Sequence, residues 1–248
     1  MNHLYNSLAG VYEAMYKSFI DYPAEFELYK DVLLKNNCNS VVEIGCGTGN
    51  LAGLFIKNKF DYTGLDISAE MLAIAKRNIP GGNFLQAGMQ DFQLPHLVDA
   101  SIITGRSISY LLTNKDVTAS FACIAKNLLP AGIICFDFID ANKFIPLIKK
   151  DAVWHTASVN KKTFKRESFW SLNASNGWSF DWRSVFYEES PDGSLLRIGE
   201  DQSTIRAFTK DEIILFLQLC GFRATHIYPR LTYAFDTFMV VAEKLPAK

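Results

Sequence analysis

The sequence predicts an α/β fold in which a parallel sheet is flanked by helices and followed by an antiparallel β insertion. Short apolar runs with few polar interruptions alternate with helical periods through residues 36–142. The first run ends in a turn with glycine at alternate positions, Gly45, Gly47 and Gly49. Residues 143–206 abandon the alternation, hold all four tryptophans and read at period two.

The first strand is Ser40-Val41-Val42-Glu43-Ile44-Gly45, apolar enough to be covered on both faces. A helix opens at about Asn50. The second strand is Asp61-Tyr62-Thr63-Gly64-Leu65-Asp66, followed by a helix with Met71, Ile74, Ala75 and Ile79 on one face, Ser68 as N-cap and Pro80 as its stop. Residues 83–86 and 100–104 are further strands, and Val117, Phe121, Ile124 and Leu128 form a helical stripe ahead of Pro130. The run 133–138 closes this part, and such alternation implies βαβ units with right-handed crossovers. Thr209-Lys210-Asp211-Glu212 is a capping box opening a helix that carries Ile213, Phe216, Leu217 and Cys220 and ends at Gly221. Residues 237–242 read as a terminal strand.

Within the insertion, residues 163–170 and 180–186 alternate at period two, and Ser175-Asn176-Gly177 and Pro191-Asp192-Gly193 are turn sequences. Two readings stand: a small sheet extending the main domain, or a substrate cover whose tryptophans line a pocket. Between Lys143 and Arg166 there are seven basic residues (Lys143, Lys149, Lys150, Lys161, Lys162, Lys165, Arg166) and one acid, Asp151. Acids return at Glu188, Glu189, Asp192, Glu200 and Asp201. The two groups either pair across strands or leave the basic part, with Trp154 and Trp170, as a wall attracting an acceptor that bears phosphate or carboxylate.

At 248 residues, with 25 Lys and Arg against 26 Asp and Glu, the formal charge of −1 disfavours bulk binding to nucleic acid or an anionic membrane. No apolar run approaches the roughly 20 residues of a membrane span, and residues 1–6 lack the basic and apolar parts of a secretory signal. Five scattered cysteines without a C-x-x-C pair read as reduced, buried thiols, and the expected location is the cytoplasm. The four histidines lie far apart, so no structural zinc site is expected.

The chemistry concentrates at Val41-Val42-Glu43-Ile44-Gly45-Cys46-Gly47-Thr48-Gly49. Glycines there permit a tight turn and close approach of a ligand, and the following helix N-terminus offers N–H groups to an anion. The pattern is G-x-G-x-G, where a dinucleotide site has G-x-G-x-x-G. Asp66 ends the second strand, where a carboxylate can accept both hydroxyls of a ribose.

This string, with Gly64-Leu65-Asp66-Ile67-Ser68-Ala69-Glu70-Met71-Leu72-Ala73-Ile74-Ala75, resembles the class I S-adenosylmethionine-dependent methyltransferases. The resemblance covers 36–142 well and 207–242 moderately. It implies a Rossmann-like seven-stranded sheet of order 3-2-1-4-5-7-6 with strand 7 antiparallel. Residues 36–142 and 207–248 would form the cofactor-binding domain, 1–35 a helical cap over the site, and 143–206 a substrate-side insertion. S-adenosylmethionine is the cofactor implied, and no metal is. Gly45, Cys46, Gly47 and Gly49 would form the loop at its methionine part, Glu43 would orient the amino end directly or through water, and Asp66 would hold the ribose. Ile67 and Met71 would flank the nucleoside, with Thr104 at the end of the fourth strand.

The family's third motif resembles Gly88-Met89-Gln90-Asp91-Phe92, except that an Asp commonly precedes the Met where this chain has Gly88. One expected hydrogen bond to the adenine amine is thereby lost, and recognition falls to backbone near Met89 and Gln90 and to apolar packing. The DNA amide-methylating N/D-P-P-Y/F motif is replaced by Thr104-Gly105-Arg106-Ser107-Ile108-Ser109-Tyr110-Leu111, which looks like small-molecule methyltransferases, including sugar N,N-dimethyltransferases. Tyr5-Asn6-Ser7-Leu8-Ala9-Gly10-Val11-Tyr12 resembles the stretch that folds over the cofactor in that subgroup. Tyr5 and Tyr12 match aromatic positions that reach the site.

Methyl transfer at an amine or hydroxyl of a small molecule follows from the resemblance. Tyr12 and Tyr110 serve as acceptor orienters, because a phenol of pKa about 10 is a poor base at neutral pH. Arg106 either binds an acidic acceptor or pairs with a surface carboxylate. A homodimer is the protein partner considered; nucleic acid and membrane are not expected. The competing class is a nucleoside-binding protein without transferase activity. A nicotinamide-dependent reductase fails on glycine spacing and lacks a Tyr-x-x-x-Lys pair after the fourth strand.

Overall fold

A computed structural model of the chain describes residues 9–148, 151–159, 162–173, 175–232 and 235–246. Helices α1 (Ala9–Phe19) and α2 (Tyr22–Lys35) lead into β1 (Ser40–Ile44), α3 (Ala52–Lys57), β2 (Asp61–Asp66), α4 (Ala69–Asn78) and β3 (Asn83–Gln86). β4 (Val98–Ile103), α5 (Asn114–Asn127), β5 (Leu128–Ile139) and a short α6 (Ala141–Phe144) follow. Four strands come next: β6 (Val153–Val159), β7 (Lys162–Leu172), β8 (Trp178–Glu189) and β9 (Leu195–Ala207). The chain closes with α7 (Lys210–Leu219), β10 (Phe222–Leu231) and β11 (Asp236–Lys244).

The main sheet runs β3-β2-β1-β4-β5-β11-β10, with β11 antiparallel to β5 and to β10. With the four inserted strands left out of the count, this is the order 3-2-1-4-5-7-6 with strand 7 reversed. Alternation in the strands explains their nearly continuous apolar character. Val42, Ile44, Ile103, Ile134 and Phe136 join the core with α5 and α7. Val41, Ile102, Ile133 and Cys135 join the opposite core with α2 and α3.

Local signals set the helix ends. Ser68 Oγ accepts the Met71 N–H at 3.1 Å, and Thr209 and Glu212 make the reciprocal capping box. The same device at Thr113 and Asp116 opens α5. Two expected boundaries move. The helix expected at Asn50 begins at Ala52. The stripe expected to run to Leu128 stops at Asn127, whose buried side chain accepts from the Leu94 N–H and donates to the Cys123 and Phe92 carbonyls, so Leu128 opens β5.

The inserted strands form a separate antiparallel sheet, β6-β7-β8-β9. Its inner face meets α1 through Met15, Tyr16, Ala157 and Phe186. A second cluster, with Ile139, Phe180 and Ile205 at its centre and Trp170 and Trp182 against it, joins the sheet to the end of β5. Among the described residues the basic stretch does not form a wall over the site. Lys162 pairs with Glu188 at 2.9 Å and Lys165 with Glu189 at 2.7 Å across β7 and β8, and Arg166 turns inward and is buried. Lys149, Lys150 and Lys161 lie outside the described residues. Among the described residues no helix is long and apolar enough to cross a membrane.

Candidate functional site

β1 and β4 are neighbours whose chains then diverge to opposite sides of the sheet, and the crevice at their carboxyl ends is where open α/β sheets bind ligands. The loop from Gly45 to Gly49 lies there, and its three glycines answer to three different demands. A Cβ at Gly45 (φ +78°) would lie 2.1 Å from Ser107 Oγ, so this glycine admits the chain after β4. A Cβ at Gly49 (φ +77°) would stand 3.2 Å from that of Ala75, so this one admits α4. Gly47 (φ +53°) has nothing within 4 Å of its would-be Cβ and is the glycine that leaves backbone open to a ligand.

Asp66, at the end of β2, ties the loop down. Its Oδ2 accepts the Gly47 N–H at 2.9 Å and its Oδ1 accepts the Ser68 N–H at 2.8 Å. Burial raises its carboxyl above the ordinary range, opposed by these backbone donors. A carboxylate has about four lone-pair sites, so beyond the backbone donors, Ile67 among them, Asp66 keeps capacity to accept from a hydroxyl.

Glu43 is buried on the face covered by α2. Its Oε2 accepts from the Tyr62 hydroxyl at 2.6 Å and its Oε1 from the Thr104 hydroxyl at 2.7 Å. Burial pushes its carboxyl up to about 7, against the pull of those two donors and with help from the charge of Asp66. Glu43 pairs in register with Ile102, and Ile102 with Cys135. Two residues further along β4 and β5, on the same face, come Thr104 and Asp137. Three apolar columns under α2 therefore end in Glu43, Thr104 and Asp137. Arg230, from β10, reaches Asp137 at 3.4 Å and also pairs with Glu25 of α2.

Two cavities meet at Gly45, Gly47 and Gly105, which line both. The one of about 250 Å³ contains Glu43, Asp137, Arg106 and Arg230, with Tyr16 and Tyr22 from the N-terminal helices. The other, of about 350 Å³, contains Asp66, Ile67, Met71, Met89 and Tyr110. Together they fall within the size of a small-molecule site.

The expected site residues divide between them. Glu43, Cys46, Thr104 and Arg106 line the first cavity. Asp66, Ile67, Met71, Gly88, Met89 and Gln90 line the second. Gly49 lines neither, because its open side is filled by Ala75. Tyr110, expected beside an acceptor, stands in the cavity of Asp66 and Met89. Arg106 donates to Thr232 Oγ1 at 3.0 Å and lies over the Phe235 ring, facing the first cavity. Tyr12 is in α1, its side chain outside the description, and Tyr5 lies outside the described residues. Among the described residues no tryptophan lines either cavity; Trp154 stacks on Tyr187 at 5.8 Å, away from both.

The space at Gly88 is not empty of acceptors. Asp91 Oδ1 and Gln90 Oε1 lie 3.1 and 3.2 Å from its would-be Cβ, so acceptor oxygens approach the place of the missing side chain. The sequence reading also missed Tyr22, Asp137 and Arg230. The alternation Ile133, Cys135, Asp137 in an otherwise apolar strand was the one signal available for the carboxylate.

Comparison with known proteins agrees with this geometry. A family profile described as a methyltransferase domain matches residues 41–132. The chain is 31% identical over 129 residues to the dTDP-3-amino-3,4,6-trideoxy-alpha-D-glucopyranose N,N-dimethyltransferase of Streptomyces venezuelae, covering 51% of this chain and 54% of that one. It is 22% identical over 228 residues to the trans-aconitate 2-methyltransferase of Acidovorax ebreus, covering 83% and 87%. The chain thus spans about half the length of the first of these curated relatives. Among solved structures, SAM-bound CalS10, an amino pentose methyltransferase from Micromonospora echinaspora, superposes with a TM-score of 0.79 at 20% identity, over 94% of this chain and 96% of that one.

Proposed function

We propose that the chain, whose residues 41–132 match a methyltransferase domain, is a class I S-adenosylmethionine-dependent enzyme that methylates the amine of a small molecule, an amino sugar carried on a nucleotide. The observation that carries the reading is the meeting of two cavities over Gly47, one holding a ribose-ready carboxylate and the other the buried carboxyl of Glu43. A cofactor with a nucleoside at one end and an amino acid at the other spans such a pair.

S-adenosylmethionine supplies a methyl group already activated on a sulfonium. The protein has to hold nucleophile, methyl and sulfur in line, and positioning of this kind contributes on the order of 7–11 kcal/mol in well-oriented reactions. Asp66 accepts the ribose hydroxyls through its free lone pairs. Ile67, Met89 and Leu111 would hold the adenine, and Gln90 or Asp91 would accept from its amine in place of the side chain absent at Gly88. Glu43, fixed by Tyr62 and Thr104, faces the amino acid end. The lining of the first cavity has four acids (Asp21, Glu25, Glu43, Asp137) and two arginines (Arg106, Arg230), which suits a sulfonium and the amine of the acceptor. Among the described residues, no member of the basic stretch lines either cavity.

The test is product analysis. Purified protein with S-adenosylmethionine and a dTDP-linked 3-amino sugar is expected to form S-adenosylhomocysteine and the N-methylated sugar. Cofactor binding without product over a panel of amines would place the chain among non-catalytic binders.

A further inference from the structure

Asp137 is a buried carboxylate that the cofactor reading leaves without a task. It is 3% exposed; among the described residues its one ion pair, to Arg230 Nη1, is 3.4 Å long and no hydrogen-bond donor reaches it, yet it is not among the sealed unpaired atoms. It lines the first cavity, so its accessible edge faces that space. Burying a carboxylate costs several kcal/mol unless it is paired and hydrogen-bonded, so one this poorly satisfied has a bond still to make. Arg230 cannot close the gap, because its other nitrogen is committed to Glu25 of α2.

The position singles out the ligand. Glu43 and Asp137 share a face of the sheet, separated by the β4 column that ends in Thr104. Glu43 borders the glycine loop and falls to the amino acid end of the cofactor. Asp137 lies two strands away, beside Arg230, whose other partner is Glu25 of α2. We propose that Asp137 is the acceptor-binding residue that receives an N–H of the acceptor's amine, with Arg230 and Glu25 as positioning residues that hold its carboxylate in place. The inference rests on the methyltransferase reading and adds to it the residue that selects nitrogen over oxygen. An ammonium or amine offers Asp137 a charged or strong donor, while a hydroxyl in the same place gives a weaker neutral one.

Binding to protein saturated with S-adenosylhomocysteine tests this without turnover. The probes are a dTDP-linked 3-amino-3,6-dideoxy sugar and its 3-hydroxyl counterpart, titrated calorimetrically. Wild-type protein is expected to bind the amine at least tenfold more tightly, and Asp137→Asn to bring the two within about twofold while S-adenosylmethionine affinity stays within threefold. A general loss of structure weakens both probes alike and leaves their ratio intact. Should Asp137→Asn fold poorly with Arg230 unbalanced, the charge-neutral pair Asp137→Asn with Arg230→Gln gives the same ratio test. An unchanged ratio in the variants, or a wild-type ratio near one, overturns the inference alone. Loss of S-adenosylmethionine affinity in step with the amine also overturns it, by assigning Asp137 to the cofactor. A wild type that binds no S-adenosylmethionine removes the functional reading first and this inference with it.

Discussion

Glu43 and the glycines after it show how far one residue's setting determines its use. The unfolded carboxyl titrates near 4.5 and the folded one near 7, because burial disfavours the charged form more than Tyr62 and Thr104 favour it. A carboxyl raised in this way adds stability that is fully present below about 4.5 and is lost as pH rises through about 7. Glu43→Gln carries no such charge, so the variant should gain on the wild type in urea midpoint between pH 5 and pH 8; a flat difference would show that Glu43 titrates normally. The glycines give a second contrast. Gly45→Ala forces a Cβ into Ser107 at a left-handed φ and should cost about 2–4 kcal/mol, combining backbone strain with overpacking. Gly47→Ala meets open space, so it should cost roughly 1–2 kcal/mol of backbone strain alone while weakening S-adenosylmethionine binding. Chemical denaturation and calorimetry on the two variants separate the outcomes. Glu43, Gly47 and Asp66 were legible from sequence because the loop and the end of β2 make their relations local. Asp137 and Arg230 were not, since 93 residues and a sheet order separate them.

At the scale of elements, the link between α1 and the inserted sheet runs through Arg166. Its guanidinium is buried under the rings of Tyr16, Phe19 and Trp182, donates to the Tyr16 hydroxyl at 3.1 Å and lies 3.4 Å from His155 Nδ1. Burial, and then the charge of Arg166, push His155 down to about 4, so at neutral pH its ring carries no charge beside the guanidinium. Tyr16→Phe removes the hydroxyl acceptor from a buried cation and should cost about 1.5–3 kcal/mol, with faster amide exchange in α1. Unchanged stability and exchange would mean that the rings alone hold the helix. Lys162 and Lys165 are the opposite case. Paired across β7 and β8 and lining neither cavity, they should be replaceable by Gln with no change in acceptor KM at low salt. The alternation in β7 was readable, and it puts Phe164, Arg166, Ser168 and Trp170 on one face. That a cation would be accepted there was not readable, because Tyr16 lies 150 residues away. The edge strand β10 escaped notice for a related reason: half-exposed and interrupted by Pro229, it lacks the apolar run that marked β1, β4 and β5.

The whole molecule is a switch-point site widened by a helical pair and an appended sheet. β1, β2 and β4 supply the loop, Asp66 and Thr104; α1 and α2 bring Tyr16, Tyr22 and Glu25 over the first cavity; β10 brings Arg230 back to β5. The strand order was legible through the resemblance carried by two short motifs. The division of the site into two chambers was not, because it depends on helices that sequence could only place loosely. The central claim is that S-adenosylmethionine lies across both chambers with its ribose on Asp66. Calorimetric titration of wild type and of a folded Asp66→Ala variant with S-adenosylmethionine, and of wild type with NADH, tests it most directly. The account predicts saturable binding of S-adenosylmethionine, none of NADH, and a loss of about 1.5–3 kcal/mol in the variant, as for hydrogen bonds to a charged group. Equal affinity in Asp66→Ala, or binding of NADH in its place, would contradict it.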